Sequence, residues 1–434
     1  MRASSAIAFA RAAREKQGFY FRVGHNDHVP LNRLIAERKL LADGLVLDAR
    51  RHERHEVLRQ HAERTDVATC LDTQAMELVM PGTTSKGHTG LPWASVGARS
   101  PEEFSPKHIE RFVGAIVARV ADGAYSRVMA PAHYIDEVSS EWLRVDEALT
   151  SELRAQLDAS DLESVRIIYP LAVHHSVFYD LQSRAVLIRL LKVLPVDVIS
   201  LRVHPFGSTS GPLAMRSFIE ACGSFRQVDR PLMIERAGIA GVSAYALGAV
   251  DFIESGITTG DSFDISSLQR PAVSGKSGFP AAPRIYIEAL GSTVECKIAA
   301  NLFSSPRGRS FFGCKDRACC PNGYQDMLED AERHSALARQ RQYTELSRVP
   351  PTMRAEHFIH NVVTPVCDML ARASDLHEPF KKAHRRTLSV KEMLIDLHRQ
   401  QKELRDKLIA ASPAMPPHTG ARVIRLTPRE PKGR

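Results

Sequence analysis

The chain has 434 residues, of which 44% are apolar and 25% charged, and 58 Lys and Arg against 50 Asp and Glu give a net charge of +8. That composition excludes a wholly disordered chain and supplies apolar material for a large core, while the modest positive excess permits a polyanionic partner. No apolar stretch reaches the ~18–20 residues of a bilayer-spanning helix, and the apolar run Ala6 to Ala10 is too short for a secretion signal, so a cytoplasmic protein with no membrane partner is expected.

In chain order, short apolar runs at residues 45–47, 67–71, 128–130, 167–172, 198–203, 232–235 and 257–262 read as strands. They are continuous rather than alternating, the pattern of strands buried on both faces of a parallel sheet. Helical patterns lie between them at residues 51–64, 106–121, 180–193, 212–222 and 242–253. Repeated βα units in this number predict an α/β fold, a (β/α)8 TIM-type barrel, with its eighth strand near residues 19–23 or 284–288. A Ser-, Gly- and Pro-rich loop covers 263–283, and helices are expected at 325–348 and 354–411. The expected organisation is a lead-in over 1–40, a catalytic barrel over 41–310, a zinc-binding subdomain over 311–348, a helical extension over 349–411, and a disordered basic tail over 412–434.

Barrel enzymes take their catalytic side chains from the C-terminal ends of strands. Reading those ends gives Asp48, Asp72, Asp136, His174, His175, His204, Glu235 and Asp261. Singly, each is readily explained as a helix cap or a solvated loop charge; together they suggest a polar active-site floor. Carboxylates on different strands, such as Asp72 and Asp261, suit glycosidic-bond chemistry, in which one attacks the anomeric carbon and the other handles the proton.

The stretch from Arg166 to Ser262 resembles the second half of the queuine and archaeosine tRNA-guanine transglycosylases, and is similar also to the transglycosylases that place 7-deazaguanines in DNA. The resemblance rests on RIIYPLAVHHSVFYDLQSRA, on VDVISLRVHPFGS, on RPLMIERAG, and on the run Gly256-Ile257-Thr258-Thr259-Gly260-Asp261. It implies that Asp261 is the nucleophile forming an aspartyl intermediate. Upstream, Leu71-Asp72-Thr73-Gln74 is similar to the family's D-S-G-G-F-Q strand end, which implies Asp72 as general acid/base. His133-Tyr134-Ile135-Asp136-Glu137 is similar to its S-F-D-E segment, which implies Asp136 as reader of the exchanged base. The glycines after Asp72 are missing, a Leu171–His175 run replaces the family's Q-G-G turn, and no P-T-R follows Asp261; Asp264 competes with Asp261. His174 and His175 offer ring faces and nitrogens to a purine-like base. The implied partners are a nucleic acid, tRNA or DNA, and a 7-deazapurine base; a homodimer is left open.

Cys314, Cys319, Cys320 and His334 supply three thiolates and one imidazole, a closed tetrahedral set for structural zinc. His357 and His360 are the alternative imidazoles. Lys315, Arg317 and Arg341 surround this cluster and are expected to contact phosphates. Two other readings stay open: a non-catalytic nucleic-acid-binding barrel, and an amidohydrolase-like metal enzyme using His25, His28 and an aspartate.

Overall fold

A computed structural model describes residues 17–83, 90–94, 100–270, 282–375 and 379–411. The expected tail over 412–434 lies outside them. Among the described residues, thirteen strands are β1 (Gly18–Val23), β2 (Gly44–Asp48), β3 (Ala68–Asp72), β4 (Arg127–Met129), β5 (Tyr134–Ile135), β6 (Arg166–His174), β7 (Val198–His204), β8 (Phe206–Gly207), β9 (Leu232–Glu235), β10 (Phe252–Gly256), β11 (Ser262–Phe263), β12 (Arg284–Ile287) and β13 (Ser292–Glu295).

Eight of them, β1, β2, β3, β4, β6, β7, β9 and β10, pair in parallel in that cyclic order, and β10 closes on β1. With helices between the strands, this is a (β/α)8 barrel. Strand parity builds its interior. Tyr20, Val46, Cys70, Met129, Ile168, Val198, Met233 and Phe252, one from each barrel strand, form a separate buried cluster that plugs the lower half. Side chains on a strand repeat their direction every second residue. Two steps further on, the same inward positions carry Arg22, Asp48, Asp72, Ser200, Glu235 and Glu254. The upper interior is therefore ionic. The opposite parity, including Phe19, Phe21, Leu45, Leu47 and Leu71, packs outward into the main core with the helices.

Two boundaries differ from the sequence reading. The segment over 1–40 is more than a lead-in, because it contains β1, which both β2 and β10 need in order to close the barrel. The last barrel strand is Phe252–Gly256, not 257–262. The preceding helix, Gly238–Ala246, stops early because Gly248 adopts φ +71° just beyond it, a left-handed stop. The chain then turns at Gly256, where an added Cβ would lie 1.8 Å from the Thr259 carbonyl oxygen. Asp261 consequently sits five residues past the strand, beside β11, which pairs with β8.

The 284–288 run forms β12, whose antiparallel partner is β13. Helix Ala331–Arg348 packs on this hairpin, and Ser335 accepts the Tyr286 amide at 2.9 Å. The C-terminal helices begin at Pro351 and include one π-helical stretch, Ile359–Val363. The long helix Pro379–Ala411 docks on barrel helix Pro212–Phe225, where Arg216 pairs with Asp396 at 2.9 Å. Among the described residues, no helix is long and apolar enough to cross a membrane.

A candidate active site in the barrel mouth and a candidate metal centre

Arg22 is the hub of the ionic layer. Its Nη1 donates to Asp72 Oδ2 at 2.5 Å, its Nη2 to Glu235 Oε2 at 2.5 Å, and its Nε to Glu254 Oε2 at 2.6 Å. Arg202 adds a second guanidinium, 3.0 Å from Asp72 and 2.8 Å from Glu235. The Ser200 hydroxyl donates to Glu235 Oε1. All three carboxylates are buried, with Glu254 fully so. Two guanidiniums thus pair directly with three carboxyls, Arg236 and Glu77 stand close enough to add one further charge of each sign, and the carboxyls still outnumber the guanidiniums by one.

The balance of forces says which carboxyl is favoured in its protonated form. Burial pushes the Asp72 carboxyl up, but Arg202 and Arg22 outweigh it and hold the group well below the usual carboxylate range. Glu235 is held down to about 2 against its burial by the same two arginines. Glu254 meets Arg22 through one nitrogen; burial, reinforced by Glu235, pushes it up to about 7. The neighbouring Glu235 carboxylate accepts the Glu254 proton, and Glu254 Oε1 meets no N–H or hydroxyl donor among the described residues. Glu77, also buried, is raised by burial and by Asp72. The sequence reading gave the near-neutral acid/base role to Asp72. Its two arginine partners oppose that, and the near-neutral carboxyl is Glu254.

Two backbone outliers flank the layer. Gln74, φ 57°, follows Asp72, and Arg236, φ 53°, follows Glu235. Non-glycine residues in this region carry strain of about 1–3 kcal/mol each and gather at functional sites.

Above the ions lies the rim. The His174 and His175 rings are 4.2 Å apart, His174 and His204 6.0 Å, and Tyr134 and His204 5.9 Å. Burial, then His175 and His204, lowers the His174 pKa. His204 Nδ1 accepts the Ile265 amide at 3.2 Å, which fixes the neutral tautomer with its proton on Nε2. Asp136 is exposed just beyond β5; burial, then Asp136, raises the Tyr134 pKa, and Asp136 opposes the fall at His174. The expected base-binding trio Asp136, His174 and His175 is therefore gathered on one arc of the rim. Phe263 and Ile265 close the mouth by packing on Met76, Tyr134 and Ala172, and Arg236 lies 5.9 Å from the Phe263 ring centre.

Asp261 lies outside this network. Its Oδ2 accepts from Arg339 Nη2 at 2.7 Å and from the Thr293 hydroxyl at 3.1 Å. Asp264 is exposed, 3.5 Å from His204 Nδ1. His25 is exposed, and the His28 ring lies 5.7 Å from that of His55.

The cysteine cluster is assembled as the sequence predicts. The donor atoms of Cys314, Cys319, Cys320 and His334 all lie within 4.8 Å of one another. Cys319 and Cys320 sulfurs are 3.6 Å apart, and His334 Nδ1 is 3.4 and 3.3 Å from them. Tetrahedral ligands at zinc bond lengths stand about 3.6–3.8 Å from each other, so the spacing fits. The tautomer fits too: His334 Nε2 lies 3.1 Å from the Tyr286 carbonyl oxygen and donates to it, leaving Nδ1 as a lone pair among the thiols. Adjacent Cys319 and Cys320 converge because both amides bond back to the Asp316 carbonyl, a tight turn. The group can hold a structural metal ion that ties the loop to helix Ala331–Arg348 and, through Tyr286, to β12.

The three expected phosphate contacts separate. Lys315 and Arg317 are exposed, with Arg317 donating to the Pro321 carbonyl. Arg341 is committed: one nitrogen meets Asp316 at 2.5 Å and another meets Glu288. Two bound carboxylates make Arg341 a brace for the metal loop rather than a free cation.

The sequence reading missed Arg22, Arg202 and Glu254. Their signal was present: each is a lone charge inside an apolar strand run, FYFRV, ISLRV and FIESG, at inward parity.

No family model matches the chain, and no curated protein does. Solved structures with similar barrels include the citrate synthase SbnG (11% identity, 57% of this chain and 89% of that chain, TM-score 0.34). The Penicillium canescens endo-1,4-beta-xylanase XylE matches at 10% identity over 56% of this chain and 83% of that chain, with TM-score 0.37. The YdjI aldolase from Escherichia coli K12 matches at 10% identity over 78% of this chain and 93% of that chain, with TM-score 0.37. Likeness at this level says nothing about the reaction.

Proposed function

We propose that this chain is a barrel enzyme that breaks and re-forms a glycosidic bond, exchanging a guanine in nucleic acid for a 7-deazapurine. The reaction class follows the resemblance to the tRNA-guanine transglycosylases. One observation carries the reading: Asp72 is held ionised while Glu254, joined to it through Arg22, keeps a proton near neutral pH. A pair of carboxyls with divergent proton affinity is what acid-assisted departure of a base needs.

In this scheme the Asp72 carboxylate takes the anomeric carbon as the carbon–nitrogen bond breaks, and Glu254 gives its proton to the departing base. The incoming base then displaces the carboxylate and returns a proton to Glu254. Atoms and charge balance without a further reactant. This moves the covalent role from Asp261, which the resemblance implied, to Asp72, because Asp261 lies past the strand end and outside the ionic layer that holds Glu254. Asp136, His174 and His175 offer the rim contacts for the base, and Lys315 and Arg317 are the exposed cations for phosphate. Phe263 and Ile265 must leave the mouth to admit a flipped nucleotide, whose extrusion costs a few kcal/mol. Zinc is the metal proposed for the Cys–His group, where it supplies a structural cross-link and no chemistry.

The test is incorporation of labelled guanine into tRNA and into duplex DNA. Exchange that Glu254→Gln and Asp72→Asn each abolish supports the reading. Absence of exchange on both nucleic acids, or full exchange by Glu254→Gln, overturns it.

A further inference from the structure

Beside the barrel mouth, the rim loops and the C-terminal helices line a cavity of about 740 Å³. Its floor comes from three successive barrel strands: Ser208 and Ser210 after β7, Ile239 in the helix after β9, and Thr258 and Thr259 after β10. The loops meet closely. At Gly238, φ +50°, an added Cβ would stand 2.9 Å from Ser208 Cβ and 3.1 Å from Asp261 Cβ. The roof includes Val363, in the π-helical stretch Ile359–Val363; such bulges concentrate at functional sites.

The cavity lining combines a cationic pair, an acidic group and apolar side chains. Lys382 and Arg386, the cationic pair, stand one turn apart on helix Pro379–Ala411. No carboxylate pairs with either among the described residues, and Arg386 is half-buried with burial alone acting on its pKa. Asp261 is the acidic group. Arg339 and Thr293 hold its Oδ2, while its Oδ1 is buried with no partner among the described residues. A buried acceptor left bare is destabilising, and a ligand donor would relieve that cost. Glu295 lines the wall as a further acceptor, and Leu290, Val366 and Phe380 supply the apolar surface.

We propose that this cavity binds a mononucleotide, with a base N–H on Asp261 Oδ1 and the phosphate on Arg386 and Lys382. A free inorganic anion would use only the cationic pair and leave Asp261 bare. An apolar molecule would leave both unpaired. A nucleotide satisfies all three, and the volume lies within the ~300–1,000 Å³ of small-molecule sites. The proposal is independent of base exchange in the barrel, since neither Asp72 nor Glu254 lines this cavity.

The experiment is calorimetric titration of the full chain with GMP, guanosine and inorganic phosphate. GMP is expected to bind at least tenfold tighter than either fragment. Arg386→Ala with Lys382→Ala should weaken GMP at least tenfold and leave guanosine unchanged. Asp261→Asn should weaken GMP and guanosine and leave phosphate unchanged. Thr387→Trp, which puts a large ring into the cavity from a half-buried position, should abolish GMP binding in a protein that melts like the parent. No GMP binding at millimolar concentration, or parental GMP affinity in the Arg386/Lys382 double variant or in Thr387→Trp, overturns the proposal. Because binding is read without turnover, that failure is separate from a failure of base exchange.

Discussion

Replacing Arg22 with Met should expose what the ionic layer is worth. Arg22 gives one nitrogen to each of Asp72, Glu235 and Glu254. Met keeps part of the stem volume and leaves the three buried carboxyls to Arg202, which reaches Asp72 and Glu235. Removing one partner of a buried ion pair costs about 3–5 kcal/mol, because the orphaned charge stays desolvated. The cost depends on pH, and the sign follows from the folded-state pKa values. In the parent, Asp72 and Glu235 lie below their ordinary values, so their contribution is present above the ordinary carboxylate range and is lost as pH falls through the folded values. Without Arg22, burial dominates and the carboxyls move upward. Raised carboxyls stabilise only while protonated, so the variant loses stability as pH rises. The deficit should therefore be smaller at pH 5 and widen toward about 3–5 kcal/mol by pH 7–8. Urea unfolding at stepped pH, followed by fluorescence of Trp93 and Trp142, measures it. A deficit below about 1 kcal/mol at pH 7, or one independent of pH, would refute the idea that Arg22 neutralises a buried carboxylate cluster.

Other outcomes follow from the same geometry. Glu254→Gln should stabilise the fold above pH 7 by up to about 3 kcal/mol: the parent carboxyl sits near 7 instead of 4.5, so the parent loses stability as pH rises between those values while an amide does not; equal stability of both proteins at pH 8.5 counts against the shifted carboxyl. Purified protein should carry about one zinc per chain by elemental analysis, and Cys319→Ala should lower both metal content and melting temperature; full occupancy after loss of all three thiols would disprove the ligand set. Gly256→Ala should destabilise by about 1–3 kcal/mol, as overpacking does, since its Cβ would meet the Thr259 carbonyl at 1.8 Å; a melting temperature like the parent's would show that the turn relaxes freely.

The barrel was legible because six of the eight strands are short apolar runs, and buried parallel strands leave that trace. The metal group was legible because Cys314, Cys319 and Cys320 are near neighbours in sequence, with His334 one helix away. The active-site layer was less so. Asp72 and Glu235 close their strands and were visible as strand-end charges, but Arg22, Arg202 and Glu254 come from three strands far apart in sequence, and only register brings them together. Asp261 failed for a related reason. The sequence reading took Gly256 for the start of a strand, whereas its closeness to the Thr259 carbonyl makes it the end of one. A slip of five residues moved the aspartate from the barrel interior to the neighbouring cavity. Arg341 shows the limit of composition: a basic cluster reads as a phosphate surface until Asp316 and Glu288 are found bound to one of its members.

The lower and upper halves of the barrel answer to different demands. The eight-residue plug, from Tyr20 round to Phe252, is what packing alone requires of a barrel interior. One step higher, branched apolar side chains would fill the same positions without desolvating any charge, and replacing buried ion clusters with such residues is often neutral or stabilising. The chain instead places two guanidiniums and three carboxyls there, at the C-terminal ends of the strands, and desolvating them costs stability. The plug below them carries no charged side chain. That asymmetry within one set of strands is the strongest structural reason to place the chemistry in the mouth, and it makes Glu254→Gln the variant in which stability and activity should part company.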